Sequence, residues 1–131
     1  MASPETESDT DRFYPGVAPV DAYGNGGFRF ADMSHKGSIL CLPNGIRAWS
    51  TQIAEHLDES DFRAVFRCDP RPEVLLLGTG PTLIPIPERL RLIFRAEKIG
   101  IDAMDTGAAA RTYNVLVAEG RRVGAALIAV E

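Results

Sequence analysis

Little in this chain points directly to a chemistry. It has two cysteines, Cys41 and Cys68, and neither has a close-spaced partner, so a disulfide framework and a C-x-x-C redox pair are both excluded. That usage suits a reducing compartment. No apolar run approaches the roughly 20 residues that a membrane span needs. Basic residues are outnumbered, 14 Lys and Arg against 18 Asp and Glu for a net charge of −4, and the arginines are spread along the chain. The electrostatic footprint of a nucleic-acid binder is therefore missing, and no nucleic acid is expected as a partner. The opening stretch "MASPETESDTDR" has no apolar signal core and carries Glu5, Glu7, Asp9 and Asp11, whereas transit peptides are poor in acids and rich in arginine. The chain as written is read as neither secreted nor imported.

Catalytic and metal-binding spacings are equally scarce. His35 and His56 lie far apart and form no H-x-H or H-E-x-x-H pattern, so no metal site is expected. There is no G-x-S-x-G elbow for a nucleophilic serine and no second acid–base pair to support one. Asp102 and Asp105 are close in sequence, but Asp105 is better placed as a helix cap than as half of a carboxylate pair. The expectation is a non-enzymatic protein that carries no cofactor. Trp49 is read as core, with a partner-binding role as the alternative, because tryptophan is enriched at interface hot spots. Nothing in the sequence sets an oligomeric state.

What is present is the composition of one ordinary domain: 131 residues, 45% hydrophobic and 24% charged. Residues 1–11 read as a disordered acidic tail and residues 12–131 as a single α/β domain. From Phe13 to Gly27 the prolines, glycines and isolated aromatics suggest an irregular surface segment. "FRF" alternates like a strand, and "SILCL" followed by "PNG" and "IRAW" reads as two strands joined by a tight turn. The front half is thus an antiparallel meander. In "DFRAVFR", capped by Asp58 or Ser60, Phe62, Val65 and Phe66 share one helical face.

The back half changes character. Val74 to Leu77 is a continuous apolar run, the pattern of a strand covered on both faces of a parallel sheet. Pro87 suits the first turn of a helix through "PERLRLIFRAEKIG", with Leu90, Ile93 and Phe94 inward and Gly100 as its stop. "IDAM" is a second strand, "DTGAAARTYNVLVAEG" a helix capped by Asp105 or Thr106 and ended by Gly120, and "VGAALIAV" a third strand. The fold class is therefore α/β: a three-layer domain whose mixed β-sheet joins an N-terminal antiparallel meander to a C-terminal βαβαβ unit.

Right-handed crossovers place consecutive parallel strands side by side with their C-terminal ends on one edge, which brings "GTGP" next to "MDTG". Ligands of open α/β sheets bind at that edge, and helix N-termini attract anions. The candidate ligand or anion contacts are Gly78, Thr79, Gly80, Asp105, Thr106, Gly107, Arg111 and Asn114. The competing reading is structural, and it is the commoner origin of such residues: glycine after a buried strand as a turn, Thr or Asp before a helix as a cap. No dinucleotide fingerprint supports the ligand reading, because Leu83 stands where G-x-G-x-x-G needs its third glycine.

"VLLLGTG", "GIDAMDTGAAARTYNVLVAEGRRVGAALI" and "GGFRFADMSHKGSILCLPNGIRAW" together resemble a family of small α/β proteins of unknown function found in bacteria, archaea and mitochondria. The mitochondrial members are assembly factors for respiratory complex I. The resemblance runs from about residue 13 to 130 and implies a single three-layer domain with a mixed sheet. The missing transit peptide makes this look like a bacterial member, and its cysteine usage fits the cytoplasm; the resemblance implies partners among respiratory-complex subunits or assembly proteins and carries no catalytic residues across. An assembly role predicts an exposed apolar patch. The alternative, a small-molecule or anion binder, predicts a pocket at the strand ends with Arg111 and Asn114 pointing in.

Overall fold

The computed structural model describes residues 12–131; the expected acidic tail lies outside the described residues. Among the described residues are nine strands and three α-helices. The front half contains β1 (Arg12–Tyr14), β2 (Ala22–Gly24), β3 (Gly27–Phe30), β4 (Met33–Lys36), β5 (Ile39–Leu42) and β6 (Gly45–Ala48). Two 3-10 turns, Ala54–His56 and Glu59–Phe62, then lead into α1 (Arg63–Arg67). The back half runs β7 (Val74–Gly78), α2 (Glu88–Ala96), β8 (Gly100–Met104), α3 (Thr106–Ala118) and β9 (Val123–Leu127).

The strands form a mixed six-stranded sheet in the order β1-β6-β5-β9-β7-β8 and a separate antiparallel sheet in the order β2-β3-β4. β7 is parallel to both β8 and β9, and β5 joins the two halves by pairing antiparallel to β9. The expected antiparallel pairings of the front half are present, divided between the two sheets. One expectation is corrected. β8 and β9, consecutive in the chain, are not neighbours, because β7 lies between them. The crossover through α3 skips over β7, and all three C-terminal ends still share one edge.

Alternation along the strands sends side chains to two cores. Leu40, Leu42, Leu75, Leu77 and Ala126 meet Trp49, Phe62, Val65, Leu90 and Phe94 on one face. Ile39, Cys41, Leu76, Ala125 and Leu127 meet Ala109, Tyr113, Phe28 and Phe30 on the other. Layer one is thus α1 and α2, layer two the mixed sheet, and layer three α3 beside the small sheet. This is why Val74–Leu77 needs no alternation: each face has its own cover. Trp49 is core, its ring 5.7 Å from that of Phe62, which meets Phe94 edge-on at 5.1 Å. Rings in such tilted arrangements gain about 1 kcal/mol beyond burial.

Two further expectations change. The stretch from Phe13 to Gly27 is not irregular throughout: it contains β1 and β2, and it buries Ala18 and Val20. Its backbone pairing with β6 and β3 depends on long-range partners that local composition does not reveal. Gly100 does not stop α2 but opens β8. The left-handed residue is Lys98, at φ 62°. Around it the Ile99 N–H donates to Phe94 O and the Lys98 N–H to Arg95 O, the paired bonds of a Schellman motif, with Ile99 and Phe94 together in the core. α3 ends the same way at Gly120, at φ 78°, as its sequence indicates.

A lysine in left-handed conformation is held at a cost of about 1 kcal/mol that glycine does not bear. Lys98→Gly is therefore expected to raise stability by about 1 kcal/mol in urea denaturation. An unchanged or lower midpoint would contradict this origin of the helix end.

Candidate functional site

The structure brings the two loops together as expected. The end of β7 and the start of α3 meet because Gly78 lacks a side chain: a Cβ there would stand 3.0 Å from Leu127 and from the Thr106 backbone. Gly80 then turns the chain at φ 105°, a conformation that L-residues rarely adopt.

The polar groups of these loops are directed inward, at one another. The Thr79 N–H donates to Met104 O at 2.8 Å, and the Gly80 N–H to Thr106 Oγ1 at 2.9 Å. The Thr106 N–H returns a bond to Gly80 O at 2.8 Å, while its hydroxyl donates to Ile128 O at 2.7 Å. The Ile128 N–H in turn donates to Gly78 O at 3.0 Å. Thr106 is fully buried, so one hydroxyl satisfies a donor on β7's loop and an acceptor beyond β9. The Thr79 hydroxyl donates to Thr82 O at 2.7 Å and accepts from the Ile84 N–H at 3.0 Å, which shapes the loop that follows. Asp105 caps α3 by accepting from the Ala108 N–H at 2.9 Å.

The remaining candidates face away from a common centre. Asn114 clamps the N-terminal segment with two bonds of 2.8 Å each, accepting from the Val20 N–H and donating to Val20 O. Arg111 is exposed and donates to the Tyr23 hydroxyl at 2.7 Å. Tyr23 lies against Gly107, where an added Cβ would stand only 2.6 Å from that hydroxyl. Gly78, Thr79, Gly80, Asp105, Thr106 and Gly107 thus form one junction, and Arg111 and Asn114 tie α3 to the front half. Tyr23 and Ser38, which accepts from the Ala129 N–H at 3.0 Å, belong to the same edge. Both escaped the sequence reading, because their partners lie about 80 to 90 residues away and nothing local marks them.

Other candidate chemistry is widely separated. Cys41 and Cys68 are both buried, in different cores, and form no disulfide. Burial pushes the Cys41 thiol from an ordinary 9.0 up to about 12, against smaller opposing effects of its Tyr113 hydrogen bond and the Arg47 charge. Burial, and then the charge that Cys41 would carry, push the Tyr113 hydroxyl up as well. Its proton goes to Ala18 O at 3.2 Å. Asp102 is an exposed strand residue. Among the described residues no three His, Cys, Asp or Glu side chains converge as metal ligands.

The profile of proteins of unknown function DUF498/DUF598 matches residues 20–128. The chain belongs to the DUF498/DUF598 family. An uncharacterised family relative from Rhodobacter capsulatus is 35% identical over 115 residues, 88% of this chain and 87% of that one. The mouse NADH dehydrogenase [ubiquinone] 1 alpha subcomplex assembly factor 3 is 29% identical over 88% of this chain. This DUF498/DUF598 domain spans only 62% of that mouse protein. A crystal structure described as an outer membrane protein from Bartonella henselae superposes with a TM-score of 0.86 at 52% identity, covering 90% of this chain and 99% of the other. In this family member no helix among the described residues is long and apolar enough to cross a membrane.

Two outcomes follow from the junction and the buried thiol. Thr106→Val preserves shape but strands the Gly80 N–H and Ile128 O, so it should cost about 3 kcal/mol in urea denaturation, while Thr106→Ser should cost about 1. Equal effects of the two would contradict the hydroxyl's role. A thiol pKa raised on folding means that the folded state keeps a proton the unfolded chain loses above pH 9, so this contribution to stability is complete below that pH and is lost as pH rises towards about 12. Stability measured from pH 8 to 11 should fall less steeply in Cys41→Ala than in the parent, and identical slopes would refute this.

Proposed function

We propose that this protein is a non-enzymatic protein-binding module that assists assembly of a respiratory complex of the complex I type. The observation that carries the reading is the similarity, along 88% of this chain, to a protein named as an assembly factor of that complex. The inward use of hydrogen bonds at the Gly-Thr-Gly and Asp-Thr-Gly loops supports it, because residues 78–80 and 105–107 then hold the fold instead of presenting donors to a substrate. Cys41 and Cys68, both buried and outside any disulfide, favour a reducing cytoplasmic setting.

A groove of about 300 Å³ on the small sheet, lined by Tyr23, Phe28 and His35 among others, is the proposed docking face. Tyr23 in its lining is 40% exposed, as is Phe13, whose ring lies 4.5 Å from that of the lining His35. Aromatic side chains with an apolar body and a polar tip are the common anchors of protein interfaces. A peptide or helix with an apolar anchor fits such a groove.

The test is gentle affinity purification of the tagged chain from its native host, with mass spectrometry of everything retained. Respiratory-complex subunits or their assembly proteins are expected, and Phe13→Asp with Tyr23→Asp should release them while the chain still folds. A stoichiometric small molecule with no respiratory partner would overturn the reading.

A further inference from the structure

The mixed sheet ends at β8, which among the described residues pairs with β7 alone. The Gly100 N–H donates to Glu73 O at 3.0 Å, and Met104 O accepts from the Thr79 N–H at 2.8 Å, so Gly100, Asp102 and Met104 direct their backbone groups toward β7. Strand alternation then turns the N–H and C=O groups of Ile101 and Ala103 away from β7, and no described residue bonds to them. An open edge of this kind is a template for a further strand.

The two faces beside that edge differ in charge. Ile101 and Ala103 turn their side chains to the core under α2. On that face a concavity of about 360 Å³ lies between α2 and β8, with Arg91, Arg95 and Lys98 in its lining and no carboxylate. All three cations are exposed, and none forms an ion pair or a side-chain hydrogen bond with a described residue. Glu97, which separates Arg95 from Lys98 in sequence, is paired with Arg71 at 2.7 Å. The cations belong to α2 and its end, beside the edge and not on it, so the backbone of β8 stays open. On the opposite face of the strand Asp102 is exposed, and it repels an acid there.

We propose that the β8 edge takes an extended acidic segment of a partner protein as an added strand, its backbone on Ile101 and Ala103 and its carboxylates on Arg91, Arg95 and Lys98. Main-chain bonds supply the affinity in such strand addition, and alternate side chains supply the selectivity. Acids at every second position recur about every 6.8 Å along a strand, close to the roughly 6 Å of helix axis that separates residues four apart, as Arg91 and Arg95 are. The intervening side chains meet Asp102, so a run of consecutive acids fits less well. This surface is separate from the groove on the small sheet, and either can fail alone.

The test is a titration of the full ¹⁵N-labelled chain at neutral pH with a capped synthetic peptide in which three Glu alternate with Thr. One control has the same composition with its Glu adjacent, and a second is the alternating peptide N-methylated along one edge, which keeps its charge and loses those donors. Saturable shifts are expected at residues 100–104, with slowed exchange of the Ile101 and Ala103 amides. Affinity should exceed that of either control about tenfold, the order of one or two main-chain hydrogen bonds. Arg91→Gln and Arg95→Gln, both exposed and outside the cores, should each weaken binding about threefold, the order of an exposed ion pair. Equal binding of the controls, unslowed Ile101 and Ala103 amides at saturation, or affinity unchanged in both variants would overturn the proposal. So would a concentration-dependent dimer that the peptide disperses, which would make the occupant a second copy of this chain.

Discussion

The Thr106 hydroxyl is where β7, β9 and α3 are tied to one another. It accepts from the Gly80 N–H and donates to Ile128 O, so a single buried oxygen satisfies polar backbone on two segments that no ladder bond reaches at that point. A buried donor or acceptor left unpaired costs about 1–3 kcal/mol, which makes the correct approach of the three elements a condition of folding. Other features of the edge follow from it. Gly78 must be small for α3 to approach, Gly80 must turn the chain, and Asp105 must cap the helix that begins beside it. Residues 128–130, drawn in by the same bonds, are then carried to Ser38 and Gly26, closing the mixed sheet onto the front half.

A strand with a core on each side has no surface left for chemistry, so β7 and β9 act as a partition between two layers. The docking face proposed for a partner lies outside that partition, on the small sheet.

The parts of the fold carried by local pattern were legible in the sequence. The unbroken run Val74–Leu77, the Asp105 cap, the Gly120 helix end and the Pro-Asn turn between β5 and β6 each depend on neighbouring residues, and each is where its pattern puts it. What escaped depended on distant partners. β1 and β2 are strands because β6 and β3 pair with them, the end of α2 at Lys98 uses a residue with no glycine signature, and the order of β8, β7 and β9 comes from how a crossover packs. The candidate site was legible as a place and less so as a chemistry. Sequence spacing brought the loops at 78–80 and 105–107 to one edge, but whether their hydroxyls faced outward or toward each other was decided by Ile128, Val20 and Tyr23, all remote in the chain.

The most direct measurement of that inward arrangement is native-state hydrogen exchange at the Gly80 and Thr106 amides. If both are held as the geometry requires, they exchange no faster than the Leu76 amide in the middle of β7, through opening of the whole domain. Exchange on the timescale of exposed loop amides would show these donors free at the edge, and would restore the Gly-Thr-Gly and Asp-Thr-Gly loops as a place for a ligand.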